Sequence, residues 1–439
     1  MFPLHLWPLT AHFYRQRLYL RHLDLAEVAM ELGTPLYLYD ATTCDEAIAA
    51  YRRGMREWPG EARLAYAAKA WLTLAMAQFL DRRNVSLEVV SEGELAIAEA
   101  AGFPPERIHV HGNNKSPALL RRALELGVGA IVLDNLDELD RLEVLAAAQA
   151  LTTSQAVWLR LNPDLIAPTH PYRQTGHYGA KFGLSYEEAL RAGTRIARHP
   201  DLKLVGVHVH IGSQMFDLDP ILAACERLID LATDLHRQGH IIRFLSPGGG
   251  LGQPYHPDDP RMDLVQAVER IVHHSAEVWR QRNGHLEPPT LVLEPGRSLV
   301  ARAGVALYTV GSVRHLADGS RIIAVDGGMA DNIRPALYGA RYTACLPARP
   351  LAPPLGPCRV VGPLCESGDV LITAVDLPEV RPGDVLAVPV SGAYQLSMAS
   401  NYNASLAPPV YWLEDDHLLL IQRRQRPADL LQRDLPLPP

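Results

Sequence analysis

Three observations place this 439-residue chain in the α/β class, as a (β/α)8 TIM-like barrel joined to a C-terminal, mainly antiparallel β domain completed by N-terminal residues. Short apolar runs alternate with longer Ala- and Leu-rich amphipathic segments, and eight such runs fall near residues 63–69, 87–91, 108–112, 130–134, 157–162, 204–212, 242–250 and 290–296. Eight strands separated by helices point to a closed parallel barrel rather than an open sheet. Polar and glycine-rich residues gather at the C-terminal ends of these runs, where barrel enzymes carry their sites. After about residue 300 the texture changes to short β-like runs, at 305–314, 321–326, 358–361, 385–390 and 409–413, punctuated by Gly and Pro.

In chain order, a helical stretch over 25–32 ends at Leu32-Gly33-Thr34-Pro35, and the alternating Leu36-Tyr37-Leu38-Tyr39-Asp40 reads as a strand. The expected division is a barrel over 36–299 and a β-rich second domain from 1–35 and 300–439. The first barrel strand, Arg63-Leu64-Ala65-Tyr66-Ala67-Ala68-Lys69, delivers one lysine at its end. Only four of the 42 basic residues are lysines (69, 115, 181 and 203). Arginine stays protonated, whereas a desolvated lysine can lose its proton and form a Schiff base, so Lys69 on a buried strand end points to amine chemistry. Segment 163–183, rich in Pro, His, Tyr and Gly, reads as a functional loop, and 427–439 as a loose tail.

Composition narrows the classes. With 48% hydrophobic and 21% charged residues the chain is globular and long enough for two domains. A net charge of −7 without a basic block argues against nucleic acid as a partner. No apolar run approaches the roughly 20 residues of a membrane span, and the first 20 residues lack a signal-peptide pattern, which gives a cytoplasmic expectation. Five scattered cysteines (44, 225, 345, 358 and 365) with no C-x-x-C pair fit neither a disulfide framework nor a thiolate zinc site. No metal is expected.

The chemistry-bearing residues follow the strand ends. Strand six runs into His208-Val209-His210-Ile211-Gly212-Ser213-Gln214, strand seven into Pro247-Gly248-Gly249-Gly250-Leu251-Gly252, and strand eight into Glu294-Pro295-Gly296-Arg297. A Gly-Gly-Gly is by itself a tight turn, but beside Ser213 and Gly296 it reads as a phosphate cradle of backbone N–H groups. Glu294, inside the expected mouth, needs a partner: a protonated pyridine nitrogen or an arginine such as Arg297. His210 is either a ring stacked on a cofactor or a satisfied core histidine. An amine, a phosphate cradle and a carboxylate for a pyridine nitrogen together describe a pyridoxal 5′-phosphate (PLP) site.

An ordered set of motifs makes this specific: Tyr66-Ala-Ala-Lys69-Ala, His111-Gly-Asn-Asn-Lys115-Ser116, Thr175-Gly176 with Lys181-Phe182-Gly183, His210-Ile-Gly-Ser213-Gln, Gly248-Gly-Gly250, Glu294-Pro-Gly-Arg297, Arg334-Pro-Ala-Leu-Tyr338, Cys365-Glu366-Ser-Gly-Asp369 and Gly392-Ala-Tyr394. From about residue 33 to 404 the chain resembles the barrel-type (fold type III) PLP-dependent decarboxylases, most closely the diaminopimelate decarboxylases. The resemblance implies that Lys69 carries PLP through its ε-amine, His210 stacks on the ring and Glu294 pairs with the ring nitrogen. It implies that Ser213, Gly248, Gly249, Gly250, Gly296, Arg297 and Tyr394 surround the cofactor, most of them at its phosphate. Arg297, Arg334, Tyr338 and Tyr394 match substrate-binding positions, Glu366 the acid that receives a distal ammonium, and Cys365 the proton donor. It also implies a homodimer whose Cys-Glu pair is contributed across the interface.

Three departures stand out. Glu88-Val-Val-Ser91-Glu92-Gly93-Glu94 replaces the usual Asp-x-x-Ser-Gly-Gly-Glu, Ser246-Pro247 precedes the glycines where an acidic-apolar pair is commoner, and Trp71 stands where related decarboxylases often have Asn. Two arginines suit a distal carboxylate and Glu366 a distal ammonium, so the expected reaction is decarboxylation of meso-2,6-diaminopimelate to L-lysine and CO2. The alternatives are a sister decarboxylase acting on an ornithine-, lysine- or glutamyl-type or secondary-metabolite substrate, a same-fold racemase, and a non-catalytic PLP-binding relative.

Overall fold

The computed structural model describes residues 2–149, 151–165, 176 and 179–438. The chain divides into two compact units, one of residues 1–46, 253–260 and 299–439, the other of 47–252 and 261–298. The first unit opens with β1 (Ala11–Tyr14), β2 (Arg17–Leu20) and β3 (Leu23–Asp24), a small antiparallel sheet. Asp24 then caps the helix Leu25–Leu32, accepting the Ala26 and Glu27 N–H groups that the first turn leaves unpaired. β4 (Leu36–Asp40) follows, all five residues buried.

The second unit holds eight parallel strands in sequential order: β5 (Ala62–Ala67), β6 (Ser86–Val89), β7 (Ile108–Val110), β8 (Ala130–Leu133), β9 (Gln155–Leu161), β10 (Leu202–Val209), β11 (Phe244–Gly248) and β12 (Thr290–Leu293). β12 pairs back onto β5 and closes the barrel. Ala65, Ala130, Val132, Trp158, Val205 and Val292 form a buried cluster from five strands, the filled interior such a barrel requires. Helices follow on polar caps: Thr73, Ser91, Ser116, Ser185 and Asp263 each accept N–H groups of a first turn. β5, β6, β7, β9 and β11 are thus each followed by a stretch that ends in a polar cap, and such stretches are where site residues have room.

Back in the first unit, β13 (Gly304–His315), β14 (Arg321–Val325), β15 (Pro357–Val361), β16 (Val370–Asp376), β17 (Val385–Val388), β18 (Val410–Glu414) and β19 (His417–Gln422) join β4 in one sheet. Its path is β16-β15-β14-β13-β4-β18-β19, with β17 also on β13; the β14–β15 and β4–β18 pairs are parallel and the others antiparallel. The fold class expected from sequence holds.

Four details correct the sequence reading. β4 pairs with β13 and β18, so 36–46 belongs with the sheet rather than with the barrel, as does 253–260. A strand buried on both faces reads alike in either setting. β16 and β19 were not expected; both alternate toward solvent and carry few fully buried residues. The tail is not wholly loose: Pro427–Leu430 is helical, and Asp429 pairs with Arg423 at 2.6 Å. The expected loop 163–183 lies mostly outside the described residues. No helix among the described residues is long and apolar enough to cross a membrane.

Candidate active site

β5 stops at Ala67, and Lys69 sits in the short 3-10 turn Ala68–Ala70 rather than on the strand itself. Its side chain is 40% exposed, which corrects the expectation of a desolvated lysine. What holds the amine is charge: Nζ lies 2.7 Å from Oε1 of Glu88, a carboxylate on β6 that is only 4% exposed. Glu88 is the residue that departs from the usual aspartate, and the structure gives it a direct role in orienting the lysine.

The loops after β10, β11 and β12 approach so closely that their backbones leave no room for side chains. A Cβ on Gly249 would lie 2.1 Å from the Glu294 carbonyl oxygen, and one on Gly250, where φ is +102°, 2.2 Å from that of Gly212. Only glycine satisfies both the space and the backbone angle there. Gly296 packs against Ala67 and Ala70, and Ala67 N–H donates to the Pro295 carbonyl, which ties this corner to the turn carrying Lys69. At the same corner Arg297 Nη2 donates to Ser213 Oγ at 3.1 Å. His210 accepts the Gly249 N–H at Nδ1 (3.4 Å); burial and the nearby Lys69 cation keep its ring neutral, well below the usual histidine range.

Glu294 lies at the end of β12 with its side chain 2% exposed. Arg297 is not its partner. His208 Nε2 stands 2.8 Å from Oε2, and Ser246 Oγ donates to Oε1 at 2.8 Å. His111 Nε2 is 3.9 Å from Oε1, its ring edge-on to that of His208. Burial pushes the Glu294 pKa up, yet His208 and His111 outweigh it and hold the carboxyl well below its usual range. His208 and Ser246 had no assigned role in the sequence reading, because their meaning depends on strand neighbours rather than on local pattern.

The first unit carries the other expected residues. Arg334 is 1% exposed, not a surface ion pair: its guanidinium lies 4.3 Å from the Tyr255 ring centre and donates to the Tyr342 hydroxyl. No carboxylate pairs with it among the described residues, and its Nε is buried without a hydrogen-bond partner. Tyr338 ends the same short helix, Arg334–Tyr338. Cys365 and Glu366 are exposed on a loop anchored by buried Asp369, whose carboxylate accepts the Met329 and Leu364 N–H groups at 2.6 and 2.8 Å. Asp369 is thus an anchor that the motif contained but whose role its pattern did not reveal. Tyr394 holds φ at +59°, a sparsely populated conformation for a bulky residue, of the kind that persists where function requires it.

Fold and site define the class, and the comparisons agree. Residues 45–301 match the family model described as pyridoxal-dependent decarboxylase, pyridoxal binding domain. The diaminopimelate decarboxylase of Bacillus subtilis (strain 168) is 41% identical over 418 residues, 94% of each chain. That of Actinosynnema pretiosum subsp. auranticum is 41% identical over 436 residues, 98% of this chain and 95% of the relative. The crystal structure of diaminopimelate decarboxylase from M. jannaschii in co-complex with L-lysine superposes with a TM-score of 0.88 at 32% identity, covering 98% of both chains. The chain belongs to the diaminopimelate decarboxylase family.

The cofactor of this family model, pyridoxal phosphate, fits the residues present. The glycine corner is a cradle that any Cβ would fill, Glu294 is a buried anion suited to a ring N–H, and Lys69 supplies the amine.

Proposed function

We propose that the protein decarboxylates meso-2,6-diaminopimelate to L-lysine and CO2, using pyridoxal 5′-phosphate. One observation carries the reading at the site: a buried carboxylate held ionised by two histidines, next to a glycine corner and to a half-exposed lysine whose amine pairs with a buried glutamate just past a barrel strand end. Relatives bearing the activity's name align over nearly the whole chain.

PLP, when bound, supplies an electron sink for the pair left behind as CO2 departs. Lys69 holds the cofactor through its amine, and Glu88 keeps that amine in place while it is charged. Glu294 keeps a proton on the ring nitrogen. His210 would stack on the cofactor ring, Ser213, Gly249, Gly250, Gly296 and Tyr394 would hold its phosphate, and Gly248 and Arg297 would border it. Arg334, buried without an anion of its own, receives the distal carboxylate together with Arg297, and Tyr338 borders it. A buried cation with no counter-ion is costly unless a ligand completes it. Glu366 takes the distal ammonium. Cys365 Sγ delivers the proton that replaces CO2 at the α-carbon.

Cys365 and Glu366 are exposed on the single chain, as residues lent to a neighbouring site would be, and we take the working form to be a homodimer. Five free cysteines fit a reducing cytoplasm. The test is to incubate the purified protein with PLP and, separately, meso-diaminopimelate, lysine, ornithine and glutamyl substrates. Lysine from the first and no CO2 from the others is expected; turnover of another substrate instead would assign the chain to a sister activity.

A further inference from the structure

Around Glu294 lies a buried polar cluster that the reaction as described does not use. His208 Nε2 and Ser246 Oγ each sit 2.8 Å from one oxygen of Glu294, so both oxygens are held from opposite sides. The two contacts come from β10 and β11, strands adjacent to one another, with β11 adjacent to β12. An ionised carboxylate only accepts, so Nε2 of His208 carries the hydrogen. His208 Nδ1 and His111 Nε2 are buried with no hydrogen-bond partner among the described residues. Among the described residues Glu294 is therefore the one hydrogen-bond partner of the His208 ring.

We propose that His208, backed by Ser246, is a positioning residue that holds Glu294 as an ionised acceptor ready for the pyridine N–H, and so sets the affinity for PLP and its pH dependence. This rests on the proposed function, since it concerns the same cofactor. The groups facing the pair come from every neighbouring element: His109 and His111 at β7, Lys69 after β5, Arg160 on β9 and His210 beyond β10. Of the groups that offset the burial of Glu294, His208 contributes most, through its charge interaction and its hydrogen bond, with His111 and Ser246 adding to it. Without His208, Glu294 takes up a proton at higher pH and ceases to accept.

The experiment is titration of PLP into cofactor-free protein between pH 6 and 8.5, followed by the absorbance and fluorescence of the bound cofactor, for wild type, His208→Leu, His208→Gln and Ser246→Ala. His208→Leu is expected to bind PLP about 10- to 100-fold more weakly, the scale of a lost hydrogen bond to a charged group, with the deficit growing as pH falls. His208→Gln, whose amide N–H reaches the Nε2 position, recovers affinity to within about threefold of wild type, and Ser246→Ala loses about five- to tenfold. Circular dichroism and melting of each apo variant separate folding from binding. If His208→Leu does not fold, the Gln and Ala variants carry the test. Wild-type affinity and pH dependence in His208→Leu, a Gln variant no better than Leu, or a Ser246→Ala variant unchanged at every pH would each overturn the proposal. Failure of the wild type to bind PLP would instead overturn the function itself.

Discussion

In the proposed reaction Lys69 and Glu294 set the chemistry at the scale of single residues, and each has a partner from another strand. Glu88 orients the amine at 2.7 Å and His208 holds the carboxylate. Lys69→Ala is expected to abolish turnover and to lose the cofactor's visible band. Glu294→Gln keeps shape and removes charge; its kcat should fall by about 10²-fold while the apo protein melts near the wild-type temperature, a comparison of steady-state rates with thermal scans. Arg334→Leu removes a cation that has no anion of its own, so it should leave PLP binding intact while lowering kcat/KM for diaminopimelate by roughly 10- to 100-fold. Lys69, Glu294 and Arg334 could be proposed from single letters, and the structure shows Glu294 and Arg334 buried and Lys69 paired with Glu88. Glu88 was legible as a charge at the right place, whereas His208 was not, because its contact spans 86 residues and depends on how β10, β11 and β12 stand side by side.

At the scale of elements, the glycine corner and the Asp369 loop are two ways of fixing backbone. Gly250→Ala places a methyl within 2.2 Å of the Gly212 oxygen at a φ of +102°. Lower melting temperature and weaker PLP binding together are expected, measured by thermal scans and cofactor titration. Asp369→Ala frees the Leu364 and Met329 amides and with them the loop carrying Cys365 and Glu366. That variant should keep the wild-type cofactor spectrum and lose at least about tenfold in turnover. The barrel strands were readable because short apolar runs alternate with longer amphipathic segments, five of which open on a polar cap. β4 was placed with the barrel because a strand buried on both faces reads alike in a barrel and in the middle of a sheet. β19 went unread although Leu418–Ile421 is an apolar run, and in the fold that run lies half-buried to exposed on the edge of the sheet.

Across the whole molecule, buried neutral histidines couple stability to pH. Burial pushes the His109 pKa down from 6.5 to about 4 and moves His111 and His210 down as well. Between those limits the unfolded chain binds protons that the folded chain does not, so stability falls as pH drops from about 6.5 toward 4. Each such group contributes at most about 1.4 kcal/mol per pH unit, and urea denaturation of the apo protein across that range should show a slope that His109→Asn reduces. Assembly is the second whole-molecule question: mixing inactive Lys69→Ala and Cys365→Ala proteins should restore activity that neither has alone if one site draws on two chains, and none if each chain is self-sufficient. The central claim is that one ε-amine holds the cofactor, and borohydride reduction of the PLP-loaded protein followed by peptide mass spectrometry tests it most directly. A pyridoxyl mass on the peptide containing Lys69 is predicted; a mass on Lys115, Lys181 or Lys203 instead, or on none, would contradict it.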